Sequence, residues 1–406
     1  MAKRALSAVA VAILFSACGG EEATTPPPVA PTATVAATPP PAPTPSATVE
    51  APPAPKPTLA EMQKKSVAND IAAWAAHDTK KLADAYADDA VMASPGMNGM
   101  EEVKGKAAIE KMFVQLNAGF PDMKFGVSRV FQRGDVLIQE WTASGTNTGE
   151  FMGAPATGKK MGFNAVSVLW FGDDGKVKRE HAYYDQMTIG GQLGKGDPKM
   201  PVRAVAEVPT GEPKWITDAE NPKAVESAKA IYPAMAGKDD KAFLALLTDD
   251  AEHIDMTMPQ SMKGKDNAKK EFAMYKKAFP DMAMTTTNAW GFGDYVIAEV
   301  VATGTFKGNM GPIKATNKSG TIHGVDVFET KDGKLSKVTS YGSGLEFASV
   351  YGLMPKPKDA KPADKAKPAP AKGEAKPAGS AAPAKPAGSA APAPKPAGSA
   401  AAAPKK

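Results

Sequence analysis

The same words occur twice in this chain, in the same order. Ala87-Asp88-Asp89-Ala90 returns as Thr248-Asp249-Asp250-Ala251, Lys104-Gly105-Lys106 as Lys263-Gly264-Lys265, and Phe120-Pro121-Asp122 as Phe279-Pro280-Asp281. Gly134-Asp135 returns as Gly293-Asp294, and Asp174-Gly175-Lys176 as Asp332-Gly333-Lys334, with the spacing close to 160 residues throughout. Ordered matches of this kind are hard to obtain by chance. The folding unit is therefore one small domain, used twice.

Composition marks where the copies begin and end. The 37 prolines fall heavily before residue 60 and after residue 354, where aromatic residues are almost absent. Such segments cannot bury enough apolar surface to offset the entropy of ordering, so both ends are expected to be disordered. The boundaries that follow are 59–196 for the first domain, 197–217 for a linker, 218–355 for the second domain and 356–406 for a tail. The tail repeats Lys-Pro-Ala-Gly-Ser-Ala-Ala from Lys376, Lys385 and Lys395, a period too short and too polar for a solenoid.

At the other end, Lys3 and Arg4 precede an apolar run from Ala5 to Phe15. A charged start, a short apolar run and small residues make a secretory signal. The run is too short for a spanning helix, which needs roughly 20 apolar residues. Phe15-Ser16-Ala17-Cys18 resembles the bacterial lipobox, with Phe15 where leucine is usual. The resemblance implies a signal peptide over 1–18, a lipid on Cys18 and a lipoprotein of the bacterial cell envelope. Residues 19–58, rich in Pro, Thr and Ala, read as a tether.

Several function classes drop out. The net charge of +5 owes much to lysines in the tail, and the folded part has no basic stripe interleaved with aromatics, so nucleic-acid binding has little support. A single cysteine excludes an internal disulfide framework and any multi-cysteine metal site. His77, His181, His253 and His323 show no close ligand spacing, so no metal is expected. No phosphate-cradling glycine loop is present, and no cofactor is implied.

Within each copy, helical periodicity comes first and strands follow. Val67, Ile71 and Trp74 share one helical face, Leu82 and Tyr86 another, and Ile109, Met112, Phe113 and Leu116 a third. Strands are expected at about Lys124–Phe131, Val136–Gly145, Lys160–Phe171 and Val177–Met187, turning at Arg133-Gly134-Asp135 and Asp173-Asp174-Gly175. Asp78, after His77, reads as a helix cap. Helices segregated from an antiparallel sheet define an α+β fold. A strongly curved sheet closed by helices leaves a cone whose interior can hold a ligand.

These elements and words resemble the SnoaL-like polyketide cyclases of the cone-shaped nuclear transport factor superfamily. The residues that carry the resemblance are His77-Asp78, Tyr86 to Ala90, Phe120-Pro121-Asp122, Trp141, Gly145-Thr146 and Ala156 to Lys159. It continues through Asp174-Gly175-Lys176, Tyr184-Asp185-Gln186 and Gln192-Leu193-Gly194. The fold it implies is two tandem α+β cones. In the cyclases an aspartate on the last strand is the general acid/base, and Asp185 is the matching position. Strand alternation puts His181, Tyr183 and Asp185 on one face. If that face lines the cone, Asp185 and His181 are the candidate catalytic pair, with Trp141, Asn164 and Tyr183 as candidate substrate-binding residues.

The second copy departs from this set. Ser343 stands opposite Asp185, Thr339 opposite His181, Tyr341 in the place of Tyr183 and His323 opposite Asn164. It reads as a degenerate repeat. Three functions are consistent with these features. The first is an envelope-displayed module binding a small apolar or aromatic ligand in the first domain. The second is a cyclase- or isomerase-type enzyme using Asp185, and the third a scaffolding lipoprotein. Cones of this superfamily often pair through the open sheet face, and a tandem chain can satisfy that pairing internally or as a homodimer.

Overall fold

The computed structural model describes residues 56–196, 200–217, 220–237 and 239–354. The expected signal peptide, Cys18, nearly all of the tether and the tail lie outside the described residues. The first copy opens with helices α1 (Leu59–Ala75) and α2 (Thr79–Ala83), passes through strands β1 (Tyr86–Gly96) and β2 (Gly99–Lys104), and returns to helix α3 (Lys106–Gly119). Strands β3 (Lys124–Arg133), β4 (Val136–Thr146), β5 (Lys160–Phe171) and β6 (Val177–Tyr184) follow, then helix α4 (Gln186–Gln192). Strand β7 (Lys214–Thr217) lies in the stretch expected to be linker.

The second copy repeats the plan. Helices α5 (Pro222–Lys229), α6 (Ile231–Ala236) and α7 (Asp240–Ala245) precede strands β8 (Leu247–Asp255) and β9 (Met262–Lys263) and helix α8 (Lys265–Ala278). Strands β10 (Ala283–Phe292), β11 (Tyr295–Thr305), β12 (Ser319–Lys331) and β13 (Lys334–Tyr341) lead to helix α9 (Gly344–Val350).

Local chemistry sets these boundaries. Thr58 and Glu61 form a reciprocal capping box at the start of α1, and Asp78 caps α2 as its position predicts. His77 takes the left-handed φ of 53° that turns the chain between them. Two expectations shift. Tyr86 begins a strand rather than ending a helix, and Met187 belongs to α4, because the Asp185 side chain caps that helix and stops β6 at Tyr184.

The strand orders are β2-β1-β6-β5-β4-β3-β7 and β10-β11-β12-β13-β8-β9. β1 runs parallel to β6 and β8 parallel to β13, so each sheet is mixed where a purely antiparallel one was expected. Bulges between Val127 and Arg129 and between Thr286 and Asn288 fall at matching places, and bulges of this kind bend a strand and increase its twist.

Each sheet has two buried faces. The inner face of the first sheet sends Val127, Leu137, Ala143, Phe163, Ala165 and Leu169 against α1 and α3. Its outer face sends Phe131, Val136, Ile138, Val166, Val168 and Tyr183 against Phe292, Ile297, Val325, Val327 and Tyr341 of the second copy. The copies thus pair sheet to sheet within one compact unit. The pairing is close to reciprocal: Tyr341 Oη donates to Glu140 Oε1 at 2.7 Å, and Tyr183 Oη donates to Glu299 Oε1 at 2.7 Å. Hydrogen bonds to a buried charged group contribute about 1.5–3 kcal/mol each, and losing one partner leaves a buried carboxylate exposed to the full cost of desolvation.

Candidate functional site

The residues expected to form a pocket do not share one. On β6 the alternation sends Glu180 and Tyr184 into the first cone, while His181 and Tyr183 meet the second copy. His181 Nδ1 lies 2.6 Å from Glu299 Oε1, and Asn288 Nδ2 donates to the other oxygen of that carboxylate. Although burial pushes Glu299 up, His181, Tyr183 and Asn288 hold its carboxyl below the usual range. Asn164 is also outward, bonded to Thr142 and near Met256 Sδ of the second copy.

Asp185 has a different task again. Its carboxylate accepts from Met187 N, Thr188 N and Thr188 Oγ1 at the head of α4, and from Gly344 N at the head of α9. Ser343 caps α9 in turn and donates to Gln186 Oε1 at 2.6 Å. The expected equivalence of Asp185 and Ser343 therefore holds in space, as a pair of interlocked helix caps. Of the five expected pocket residues, only Trp141 faces a cone interior.

That interior is full. Trp141 packs against Phe125 and Phe163 at centroid distances of 5.4 and 5.6 Å, Phe163 against Tyr184, and Phe125 stacks on Trp74. The polar groups left inside are paired: Trp141 Nε1 donates to Ser167 Oγ at 3.0 Å, and Tyr86 Oη to Glu180 Oε2 at 2.5 Å. Burial pushes Glu180 up. Burial, reinforced by the charge of Glu180, pushes the partly buried Asp70 up to about 7.

The second cone differs at the matching positions. The strand registers place Val300 where the first copy has Trp141, Ile322 for Phe163 and Gly342 for Tyr184. Met284 takes the place of Phe125. These four rings are replaced, while Phe243 stacks on Phe272 and Tyr232 meets Phe328 edge-on in the core of the second copy. The same registers place Asp326 for Ser167, Ser340 for Ala182 and His253 for Met92. Asp326, Ser340 and His253 are half-buried, while Ser167, Ala182 and Met92 are buried.

These polar groups form one chain. Glu271 Oε1 lies 2.8 Å from His253 Nδ1, and His253 Nε2 lies 3.0 Å from Ser340 Oγ. Ser340 Oγ donates to Asp326 Oδ1 at 2.5 Å, and Tyr232 Oη to Asp326 Oδ2 at 2.9 Å. Burial opposes protonation of His253, but Glu271 overcomes it and raises the imidazole to about 9. Burial pushes Asp326 up, against the hydrogen bonds from Ser340 and Tyr232. An imidazolium and a carboxyl group thus stand either side of one hydroxyl. Comparison of the copies residue by residue is the signal that finds this set: Met92 against His253, Ser167 against Asp326.

Among the described residues no group of three or more His, Cys, Asp and Glu is arranged to hold a metal. Two open surface concavities, of about 420 and 350 Å3, lie outside both cones. One is floored by Thr303, Gly304 and Thr321, and the other sits between Arg133, Pro222 and Ala289.

Comparison with known proteins agrees with this architecture. Residues 67–193 match the family model described as SnoaL-like polyketide cyclase, and residues 228–338 match the one described as SnoaL-like domain. The chain carries two SnoaL-like domains in tandem. No curated protein sequence matches it. Among solved structures, a protein described as a SnoaL-like polyketide cyclase from Jannaschia sp. CCS1 is 17% identical, with 34% of this chain and 99% of that one covered and a TM-score of 0.32. AclR from Streptomyces galilaeus, described as a hydroxylase, is 28% identical, with 36% and 87% covered and a TM-score of 0.31. A protein of ketosteroid isomerase-like fold from Catenulispora acidiphila DSM 44928, in complex with trimethylamine, is 20% identical, with 31% and 92% covered and a TM-score of 0.28. Each is about the length of one SnoaL-like domain.

Proposed function

We propose that this chain is a small-molecule-binding lipoprotein of a bacterial envelope whose working cone is the second SnoaL-like domain. The observation that carries the reading is the replacement of the aromatic filling. Trp141, Phe125, Phe163 and Tyr184 in the first cone give way to Val300, Met284, Ile322 and Gly342 in the second, beside the polar chain from Glu271 to Tyr232. Apolar side chains around a few convergent polar groups are the usual lining of a small-ligand site. The first domain, with its cone filled, serves as the rigid partner on which the second is built. Asp185, committed to capping two helices, has no part in the site.

The test restores the filling. Titration with 1-anilinonaphthalene-8-sulfonate, a fluorescent apolar anion, is expected to give saturable binding to the chain without residues 1–55. Val300→Trp is expected to weaken it at least tenfold, and Trp141→Phe in the first cone to leave it unchanged. Equal binding by all three proteins sinks the reading. Export and anchoring rest on Lys3, Arg4, the apolar run and Cys18. Metabolic labelling with a fatty-acid analogue is expected to tag the full chain and not its Cys18→Ser variant.

A further inference from the structure

The two copies differ at one edge of their sheets. In the first copy β7 runs parallel to β3, with Trp215 opposite Val130 and Ile216 opposite Phe131. Trp215 packs on the first core beside α1, with Lys64 Nζ 5.8 Å from its ring centre, while Ile216 packs at the seam between the copies. In the second copy β10 is the last strand of its sheet, and among the described residues no strand pairs with its outer edge. An unpaired edge presents a row of backbone donors and acceptors that a further strand can meet.

The strand registers place Ala289 where the first copy has Val130, and Gly291 for Gln132. Val225 precedes the capping Asp239 by the same interval as Lys64 precedes the capping Asp78. Val225 and Ala289 therefore stand where Lys64 and Val130 stand around Trp215. Together with Gly291, Glu226 and Lys229 they line the open concavity of about 350 Å3 between α5 and β10. Gly291 lets helix and strand approach: a Cβ there would lie 2.8 Å from Val225 Cγ2, so a larger residue would force α5 off the strand.

We propose that this concavity is a docking site for an extended segment of another protein, which adds to β10 as a parallel strand and sets an aromatic side chain between Val225 and Ala289. Strand addition of this kind draws affinity from main-chain hydrogen bonds and specificity from pockets for alternate side chains. β7 supplies the pattern for the occupant: an aromatic residue facing the helix, then a branched apolar residue facing the seam. The chain itself has no such residue to spare. Among the described residues no aromatic side chain is exposed, and residues 16–55 and 355–406 contain no aromatic residue. A second copy of this chain therefore offers no ring to the concavity, and the occupant is a different protein.

The probe is the peptide Gly-Glu-Pro-Lys-Trp-Ile-Thr, the sequence of residues 211–217, labelled with fluorescein and followed by anisotropy as the full chain is added. Saturable binding is expected. Replacing the peptide's tryptophan by alanine is expected to weaken it at least about tenfold, as loss of a buried tryptophan anchor does. Lys229→Trp and Glu226→Trp, both at exposed positions of α5, each fill the concavity and are expected to weaken binding by a similar factor with unchanged melting. No binding overturns the proposal, and so does binding that ignores the peptide's tryptophan. Binding that ignores both α5 variants also overturns it, since the peptide has then displaced β7 from the first copy. A concentration-dependent dimer that both variants abolish assigns the edge to a second copy and overturns the proposal as well.

Discussion

Replacing Asp185 by alanine separates a structural from a catalytic aspartate. In the structure its carboxylate accepts from the backbone of Met187 at 3.2 Å and Thr188 at 2.9 Å, from the Thr188 hydroxyl at 2.6 Å, and from Gly344 N at 2.8 Å. Loss of a helix cap costs about 1 kcal/mol. The Gly344 amide and the Thr188 hydroxyl are then left without their partner in a largely buried place, which costs about 1–3 kcal/mol more. Burial already pushes the Asp185 carboxyl up, so removing it returns part of a desolvation cost. The net expectation for Asp185→Ala is a loss of about 2–3 kcal/mol, or roughly 5 °C in melting temperature. Asparagine caps helices as well as aspartate does, so Asp185→Asn is expected to lose less than about 1 kcal/mol. Urea unfolding followed by tryptophan fluorescence reads both. A change below about 0.5 kcal/mol for alanine, or equal losses for alanine and asparagine, refutes the double-cap account.

Three further outcomes follow from the buried ionisable groups. Asp70, pushed up to about 7, binds a proton more tightly folded than unfolded, so stability falls as pH rises from about 4 to about 7. Asp70→Asn is expected to remove that slope in denaturant titrations run across the range. His253, raised to about 9, contributes stability that is full below about 6.5 and is lost as pH rises through 9. The slope between those values is expected to vanish in His253→Gln. Glu299 is held below the usual carboxylate range, so its contribution is present at neutral pH and lost on acidification through the folded value. Glu299→Gln is expected to cost about 2 kcal/mol at pH 7 and to narrow the difference from the parent in acid.

The repeat and most strand positions were legible because each has a local signature, whereas sheet-to-sheet pairing followed only from the family resemblance, which left pairing within the chain and between chains both open. The face of the sheet that lines the cone was not. Alternation on β6 divides Glu180 and Tyr184 from His181 and Tyr183, but it does not say which set points inward when both faces are buried. Strands covered on both sides read as continuous apolar runs, as Ala165-Val166-Ser167-Val168-Leu169 does, and the usual polar–apolar contrast is lost. The parallel β1 was hidden for another reason. Its stretch Tyr86-Ala-Asp-Asp-Ala resembles a helix end, and only its pairing with β6 makes it a strand. The polar chain of the second cone is assembled from α6, α8, β8, β12 and β13, so its side chains, from Tyr232 to Ser340, meet only on folding and no local pattern announces it.

The fusion of the two cones has a consequence for how such a protein changes over time. When identical chains associate about a two-fold axis, every substitution arrives at two places at once, so a residue that improves one pocket must also be tolerated in the other and at the seam. Here the seam has already drifted from symmetry: Arg129 bridges Glu140 and Glu329 on one side, while His181 and Asn288 serve Glu299 on the other. A single reading frame lets each half accept mutations its neighbour could not survive. One cone was free to gather aromatic rings, and the other to gather a chain of polar side chains.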